Sequence, residues 1–452
     1  MGLHPDSDYP FESFRHMMKK KSTGNRWNAA HEKVIDTIDE KRDEIVQVCQ
    51  DLVRYDTTNR EEDAQRYVER FLQEMGMETD VFEPDNERLK IYADYGPGND
   101  YEGKPNVVGL LKGRNGGRSL ILNAHIDTVS AEPLYDWKYN PFKGEVHGNS
   151  IYGRGTADDK GDLAAILMAV RVLHNLHIQL KGDLIVESVV GEETDGNGTL
   201  SCCDRGYRAD AAIVVDSIDP IDSIVVAQAG VTYFKLKVTG QSAHLCHKFT
   251  PLEGVSAIDK MRVFLNDLEE FQKERLSYRD PQYHLKVPII GVTQIDGGSV
   301  HSRSSFPQVC SIEVEYDYFA SKLGSAKNDL PIRRAIERRI RAIERSDAWL
   351  RNHPSSIEWL ASILPTTITR EHPIIQTLST SIEHVYNKPK LIPITTSTDA
   401  RHFEHVVNTP VVSWSCGGSN AHGIDESIDI DDLIMGTKII ALTIMDWCGC
   451  FE

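Results

Sequence analysis

The sequence predicts an α/β protein in which a mostly parallel sheet is flanked by helices and a smaller α+β domain is inserted. Short apolar runs alternate with amphipathic helical stretches early and late in the chain, as in parallel sheets covered by helices. Between those parts, apolar and polar residues alternate singly, as in half-exposed antiparallel strands. A chain of 452 residues is also too long for one ordinary hydrophobic core, which indicates more than one structural unit.

These patterns divide the chain into three regions. Residues 1–30 are charged and irregular and are interpreted as an N-terminal extension. Residues 31–229 and 367–452 carry the α/β pattern, and residues 230–366 form the predicted insertion. No internal repeat or low-complexity tract interrupts this organisation.

The α/β region begins with helices. Apolar residues recur near helical spacing from His31 to Leu52, and a second amphipathic stretch from Ala64 to Met75 ends before Gly76. Four apolar runs then predict buried strands, and one apolar stripe predicts a helix between the first two. The strands are Ser119–Ala124, Asp183–Val190, Ala211–Val215 and Pro410–Ser415, and the helix is Asp162–Leu176.

The inserted region has a different composition. Tyr233–Val238 and Cys310–Tyr318 alternate like strands with one exposed face, and long charged helical segments lie between and after them. This pattern predicts an antiparallel sheet with helices on one face.

Composition excludes several classes of function. The formal charge is −18, which disfavours a nucleic-acid partner because phosphate backbones are repelled. No apolar run is long enough to span a membrane, and the N-terminus lacks the apolar stretch of a secretory signal. The eight cysteines are scattered, without the paired spacing of a zinc ribbon. We therefore expect a cytoplasmic protein with reduced thiols that binds neither nucleic acid nor membrane.

Polar residues follow the inferred strands where those strands end, which is where open parallel sheets place their sites. Each is weak evidence alone, since an acidic residue after a strand is often a helix cap. Together they place imidazoles and carboxylates at five successive points along the chain. These residues are His125 and Asp127, Asp158 and Asp159, Glu192 and Glu193, Asp216, and His422 followed by Glu426.

So many carboxylates in one cleft would raise one another's pKa and destabilise the fold. Divalent cations remove that conflict, and the mixed His, Asp and Glu set suits zinc, with manganese or cobalt as alternatives. The sequence therefore predicts a metal site at this edge of the sheet.

The segments NAHIDTV, YGRGTADDKG, GEETDGNGTL, GQSAH and AHGIDE resemble a family of metal-dependent hydrolases. That family includes acetylornithine deacetylase, succinyl-diaminopimelate desuccinylase, aminoacylase and glutamate carboxypeptidase. The resemblance spans roughly residues 31–450 and is closest to the acetylornithine-deacetylase-like branch, through GNGTL, RGYRAD and DAWLRNHPSSIEW. It implies two divalent metal ions per subunit, a small-molecule substrate, and a homodimer formed through the inserted domain, which also acts as a lid.

The resemblance also implies roles for individual residues. Asp158 would bridge the two metals, His125 and Asp216 would complete one site, and Glu193 and His422 the other. Asp127 would accept the far ring N–H of His125 and fix its tautomer. Glu192 would be the general base that takes a proton from a metal-activated water and returns it to the leaving nitrogen.

Two further residues carry alternatives. His244 in GQSAH resembles a histidine that reaches the partner's active site and stabilises the oxyanion, but it could instead be a surface histidine. Arg401 in TSTDARHF resembles an arginine that binds a substrate carboxylate, but an ion pair with Asp399 would serve the fold alone.

The sequence departs from the family in ways that leave the substrate open. Asp216 stands where the deacetylase branch has Glu, as in dipeptidases, and Asp159 adds an acidic group where Met is common. The loop after Gly297-Gly298 lacks the family's Asn, and the next strand lacks its Arg; His301 or Arg303 could substitute.

We therefore expect a hydrolase of a carbon–nitrogen bond, of the N-acyl amino acid deacylase type. A dipeptidase or a hydrolase of an unusual amide or aromatic amine is the alternative. A non-catalytic binding protein is disfavoured, because every metal and base position holds a suitable residue.

Overall fold

A computed structural model of the chain describes residues 28–114, 116–247, 254–277, 290–298, 303–324 and 328–451. The predicted N-terminal extension lies outside these residues up to position 27. The first helix begins at Ala29, two residues before the predicted start of the α/β region.

Regular structure alternates along the chain. The helices are α1 Ala29–Glu40, α2 Arg42–Val53, α3 Glu62–Glu74, α4 Asn86–Leu89, α5 Lys160–Asn175, α6 Asn197–Asp204, α7 Ala257–Ser277, α8 Leu330–Ser346, α9 Pro373–Val385, α10 Ala400–His405 and α11 Ile430–Cys448. The strands are β1 Glu78–Phe82, β2 Asn106–Leu111, β3 Leu120–His125, β4 Glu145–His147, β5 Ser150–Tyr152, β6 Leu184–Val189, β7 Ala211–Val214, β8 Ser223–Gln228, β9 Gly230–Thr239, β10 Ile290–Gly297, β11 Val309–Tyr318, β12 Ser356–Ile363, β13 Thr366–Thr367, β14 Lys390–Ile394, β15 Val411–Ser413 and β16 Ser427–Asp429.

The large sheet has the order β1-β2-β6-β3-β7-β15-β8-β13, with β14 also paired to β8. Its centre, β6-β3-β7-β15, is parallel, whereas the β1, β2 and β13 pairings are antiparallel. These four central strands are the four predicted from apolar runs. The prediction of a mostly parallel sheet flanked by helices is confirmed.

Helices cover both faces of this sheet. On one face α5 packs under α2 and α11, so the helix that starts beside the predicted metal site is buried along most of its length. On the other face α6 and α10 contribute Cys202, Cys203, Ala400 and Phe403 to a separate apolar cluster. Helix α3 ends at Glu74 and Gly76 takes φ 74°, as its position in the sequence predicted.

A second, antiparallel sheet has the order β10-β11-β9-β12. Helices α7 and α8 cover one face, where Phe234 and Leu236 of β9 pack against Phe264 and Ile336. All four strands lie between positions 230 and 363, within the predicted insertion. The proposed domain boundaries themselves stay a prediction.

A small sheet, β16-β5-β4, joins two distant loops beside the large sheet. Pairing of Ser427 with Tyr152 brings the segment before Asp158 next to the segment around Glu426. No helix in the described ranges has both the length and the hydropathy that crossing a membrane requires.

Candidate metal centre

The predicted site residues meet at the carboxyl edge of the parallel strands. His125 is the last residue of β3, Glu192 and Glu193 follow β6, and Asp216 follows β7. His422 comes from the loop after β15. The parallel order of these strands therefore converts residues nearly 300 positions apart into one cluster.

Asp158 lies at the middle of the cluster, between two imidazoles. Its Oδ1 is 2.9 Å from Nε2 of His125, and its Oδ2 is 3.1 Å from Nε2 of His422. His422 Nε2 is also 2.8 Å from Oε2 of Glu193. Each oxygen of one carboxylate thus faces a different imidazole, which is the arrangement expected of a carboxylate that bridges two cations.

Two groups of side chains have ligand atoms that all lie within 4.8 Å of one another. One group is His125, Glu192 and Asp216, and the other is His125, Asp158 and Glu193. Proximity alone therefore does not separate Glu192 from the ligands. The difference lies in contacts, since Glu193 touches His422 and accepts a hydrogen bond from the Val129 N–H at 3.2 Å.

Burial and the crowding of carboxylates shift the pKa values of the residues in this cluster. Burial raises the pKa of Asp216 to about 8, and neighbouring Asp158 adds to this. Burial and the charge of Asp216 raise the pKa of Glu192 well above its ordinary value. Hydrogen bonds to Asp158 and Glu193 raise the pKa of His422 to about 10. These shifts indicate that the crowded carboxylates favour the uptake of positive charge.

The donor set fits divalent metals. Two ligands bound to one tetrahedral zinc, each about 2.1 Å from it, lie about 3.4 Å apart. The separations of 2.8 to 3.1 Å around Asp158 are close to that value. Imidazole nitrogens and carboxylate oxygens are also the ligands that zinc, manganese and cobalt share. Small outward movements of these side chains would admit the ions.

Asp127 contacts His125 through a different atom from the one predicted. Nδ1 of His125 lies 3.0 Å from the backbone carbonyl of Asp127, whereas the Asp127 carboxylate is 3.6 Å away. That carboxylate instead accepts the backbone N–H groups of Glu193, at 3.2 Å, and of Glu192, at 3.4 Å. Asp127 thus positions the His125 ring with its carbonyl and the two glutamates with its side chain.

Glu426 stabilises the turn that carries Asp158, a role that was not predicted from the sequence. It is fully buried and pairs with Arg154 at 2.6 Å. It also accepts the backbone N–H groups of Gly155, Ala157 and Asp158 at 3.0, 2.8 and 3.1 Å. One carboxylate therefore fixes the whole turn that presents Asp158. The signal available in the sequence was its place in AHGIDE, four residues after His422.

Asp159, the acidic residue that departs from the family pattern, contacts the end of β3. It is completely buried, and its Oδ2 accepts the backbone N–H of His125 at 2.9 Å. Burial and the nearby Asp162 raise the pKa of Asp159 well above its ordinary value. Asp159 therefore holds the end of β3 through the backbone N–H of His125.

The two remaining predicted residues lie apart from the metal-ligand cluster. His244 is exposed, and its Nδ1 accepts the Cys246 N–H at 3.2 Å. Arg401 is buried and bonds the carbonyl of Thr398, with Asp399 3.6 Å away. These contacts fit the ion-pair alternative, and contact between Arg401 and a substrate stays a prediction. Arg303 is exposed, and His301 lies outside the described residues.

Comparison with known proteins agrees with this geometry. The model of peptidase family M20/M25/M40 matches residues 121–446. N-formyl-4-amino-5-aminomethyl-2-methylpyrimidine deformylase of Halalkalibacterium halodurans is 29% identical over 442 residues, covering 92% of this chain and 97% of the relative. The protein of the same name in Bacillus subtilis is 28% identical over 436 residues, covering 91% and 96%.

Solved structures share the fold at lower identity. A tripeptidase from Staphylococcus aureus has a TM-score of 0.68 at 18% identity, covering 89% of this chain and 98% of its own. The YXEP protein of Bacillus subtilis, described as a dinuclear metal-binding peptidase, has a TM-score of 0.60 at 15% identity, covering 90% and 99%. About nine tenths of this chain therefore shares its fold with these two structures.

Proposed function

Because the chain belongs to peptidase family M20/M25/M40, we propose that it is a deacylase that removes a formyl-sized acyl group from a small amine. As expected from the sequence, it is a metal-dependent hydrolase of carbon–nitrogen bonds in small molecules. The observation that carries the proposal is the Asp158 carboxylate held between His125 and His422, with Glu193 beside them.

The choice of a small acyl group rests on two supports. Two relatives matched over nearly their whole length are named as deformylases of an aminomethylpyrimidine. In addition, the guanidinium of Arg401 is engaged with Thr398, Asp195 and Asp399 inside the protein. An N-acyl amino acid would need another cation for its carboxylate, whereas a formylated aromatic methylamine needs none.

The ligands proposed for the two metals are those expected from the sequence. Asp158 would be shared, His125 and Asp216 would hold one ion, and Glu193 and His422 would hold the other. When bound, such a pair of ions acidifies a water molecule and polarises the amide carbonyl. Zinc is proposed first, with manganese or cobalt as alternatives.

Glu192 is proposed as the general base. Its carboxylate accepts no hydrogen bond from any donor in the described part of the chain, so it is free to take a proton from water. The same Glu192 oxygen then gives this proton to the leaving nitrogen as the carbon–nitrogen bond breaks. The products are the free carboxylic acid and the amine, which balances one water consumed per amide.

The first test is a substrate panel with protein loaded with Zn²⁺, Mn²⁺ or Co²⁺. We expect hydrolysis of N-formyl arylmethylamines to exceed that of N-acetylornithine, other N-acyl amino acids and dipeptides. Exhaustive chelation should abolish turnover, and added metal should restore it. Full activity after chelation would contradict the metal-dependent mechanism.

A pair of variants separates the base from the ligands. Glu192→Gln should lower kcat by at least about a thousandfold while the metal content stays at the wild-type value. Glu193→Gln should lose metal as well as activity. Normal turnover in Glu192→Gln would refute the assigned role.

A dipeptidase is the second candidate, and Asp216 in place of Glu is the observation that favours it. Faster cleavage of dipeptides than of formyl amides would select this alternative.

We also propose a cytoplasmic homodimer in which exposed His244 reaches the partner's site. The eight free cysteines suit a reducing compartment. Sedimentation analysis would test the dimer. A reduced kcat in the His244→Ala variant would support the proposed role of His244.

A further inference from the structure

The turn that carries Glu192 and Glu193 is short and closes on itself. The backbone N–H groups of Asp195 and Gly196 both bond to the carbonyl of Gly191, at 3.0 and 2.7 Å. Any movement of this turn therefore moves the proposed base and a proposed metal ligand together. What holds its far side has a direct bearing on the chemistry.

The carboxylate of Asp195 attaches the far side of the turn to a neighbouring loop. Its Oδ1 accepts a short hydrogen bond from the hydroxyl of Tyr101, and its Oδ2 accepts the Asn99 amide at 2.8 Å. Tyr101 is buried, with 3% of its surface exposed. The phenol also lies against Gly191, where a Cβ would come within 2.4 Å of its oxygen. Tyr101 thus contacts both ends of the turn.

Arg401 holds the backbone of the same turn. Its Nη2 donates to the carbonyl of Asp195 at 3.1 Å, and its Nη1 donates to the carbonyl of Thr398 at 3.0 Å. Thr398 is fixed in turn, because its N–H donates to the side chain of Gln228 at 2.9 Å. The guanidinium is therefore anchored to the sheet before it reaches the turn.

The fit between the turn and Arg401 is close. Gly196 has φ 72°, and a Cβ there would lie 2.2 Å from Nη2 of Arg401 and 2.5 Å from Oδ1 of Asp399. Only a residue without a side chain allows the turn to rest directly on this buried pair. The contact is part of how the turn is built and not a chance approach of two surfaces.

We propose that Tyr101 and Arg401 are positioning residues that act through Asp195 to fix Glu192 and Glu193 relative to Asp158. Tyr101 restrains the Asp195 carboxylate and Arg401 restrains its carbonyl, so the turn is held from two directions. The inference rests on the proposed function and assigns Arg401 to the catalytic geometry, without contact between Arg401 and substrate.

The test compares Tyr101→Phe with the control Tyr92→Phe. Both substitutions remove one tyrosine–aspartate hydrogen bond from the same loop region, but Tyr92 donates to Asp204, at 2.9 Å, away from the turn. We expect Tyr101→Phe to lower kcat at least about tenfold with KM within about twofold, because small displacements of reacting groups are costly. Tyr92→Phe should keep wild-type kcat.

A spectroscopic arm makes the test independent of turnover. The visible absorption of bound Co²⁺ depends on its ligands and their geometry. Displacement of Glu193 in Tyr101→Phe should therefore change the bands of the Co²⁺-loaded protein, whereas Tyr92→Phe should reproduce the wild-type spectrum. Asn99→Ala, which removes the amide hydrogen bond to the Asp195 carboxylate, should change the bands in the same way.

Arg401→Lys separates positioning from substrate binding. Lysine keeps the charge beside Asp399 but cannot hold both carbonyls, so kcat should fall equally on uncharged and carboxylate-bearing amides. A KM increase confined to carboxylate-bearing substrates would overturn the inference, since it would make Arg401 a substrate anchor.

Loss of stability in Tyr101→Phe with kcat and Co²⁺ bands matching Tyr92→Phe would also overturn the inference. A wild-type protein that hydrolyses no amide would count against the proposed function alone. In that case the Co²⁺ spectra still decide whether these residues position the ligands.

Discussion

Replacing Glu426 with glutamine should destabilise the protein and weaken metal binding together, because one carboxylate serves both. Oε2 of Glu426 accepts from Nη1 of Arg154 at 2.6 Å and from Gly155 N at 3.0 Å. Oε1 accepts from the N–H groups of Ala157, at 2.8 Å, and Asp158, at 3.1 Å. Glutamine offers one acceptor oxygen in place of two, so two donors must face an NH₂ group.

The size of the effect follows from these contacts. The Arg154 guanidinium is left without its buried counter-ion, and some of the N–H groups beside Asp158 lose their acceptor. Breaking a buried charge pair on one side costs about 3–5 kcal/mol, and charge-assisted hydrogen bonds are worth about 1.5–3 kcal/mol each. We therefore expect a loss of about 3–5 kcal/mol in the free energy of unfolding.

The matched control is Glu344→Gln. Glu344 is also a buried acid that accepts from an arginine and a backbone N–H, here Arg341 at 2.7 Å and Ser355 at 2.7 Å, but it lies in the inserted region. Urea unfolding of metal-free protein should show a loss in both variants, smaller in Glu344→Gln because the Arg341 side chain is 43% exposed and solvent screens its pair with Glu344. Competition with a chromophoric chelator should show weaker metal binding only in Glu426→Gln.

Two results would refute the reasoning about Glu426. A stability loss below about 1 kcal/mol would mean that the pair with Arg154 is not the buried, fully bonded contact described here. Equal loss of metal affinity in Glu344→Gln would mean that general destabilisation, and not displacement of Asp158, weakens the site.

Two further predictions address backbone fit and buried charge. Gly196→Ala should destabilise by more than Gly76→Ala in thermal unfolding, because both have positive φ, which costs about 1–2 kcal/mol, but only Gly196 meets side chains within 4 Å; equal losses would contradict the close fit to Arg401. Burial raises the pKa of Glu187 from 4.5 to about 8, so the folded state retains a proton that the unfolded state releases, and stability should fall as pH rises across that range. Glu187→Gln should flatten this fall in urea unfolding at successive pH values, and an unchanged slope would show that Glu187 is not its source.

The central strands were predictable because burial on both faces leaves a short, mostly apolar run. Two of these strands, Ala211–Val214 and Leu184–Val189, are buried at every position. Strand β8, Ser223–Gln228, is equally buried but was not predicted, because it leads directly into β9 across Ala229 without a turn signal. Strands β10 and β12 are mostly exposed edge strands, so their weak pattern resembles that of a loop.

The metal-ligand cluster was predictable for a topological reason. Parallel strands end at one edge, so polar residues that follow them must meet there, whatever their separation in sequence. The contacts that support the cluster follow no such rule. Glu426 reaches Arg154 across 272 positions, and Arg401 reaches Asp195 across 206. No local pattern specifies those partners, since each depends on how two loops pack.

The same distinction explains why the acidic residues of the site behave differently although the sequence gives them one appearance. Asp127 and Glu426 are each met by backbone N–H groups, so the fold itself compensates their charge. Burial and neighbouring carboxylates raise the pKa values of Glu192 and Asp216, and among the described residues no donor hydrogen bonds to either carboxylate. A buried carboxylate without hydrogen-bond donors needs a bound cation or a proton to offset its charge. Glu192 and Asp216 lack such donors, which fits their proposed roles as general base and metal ligand.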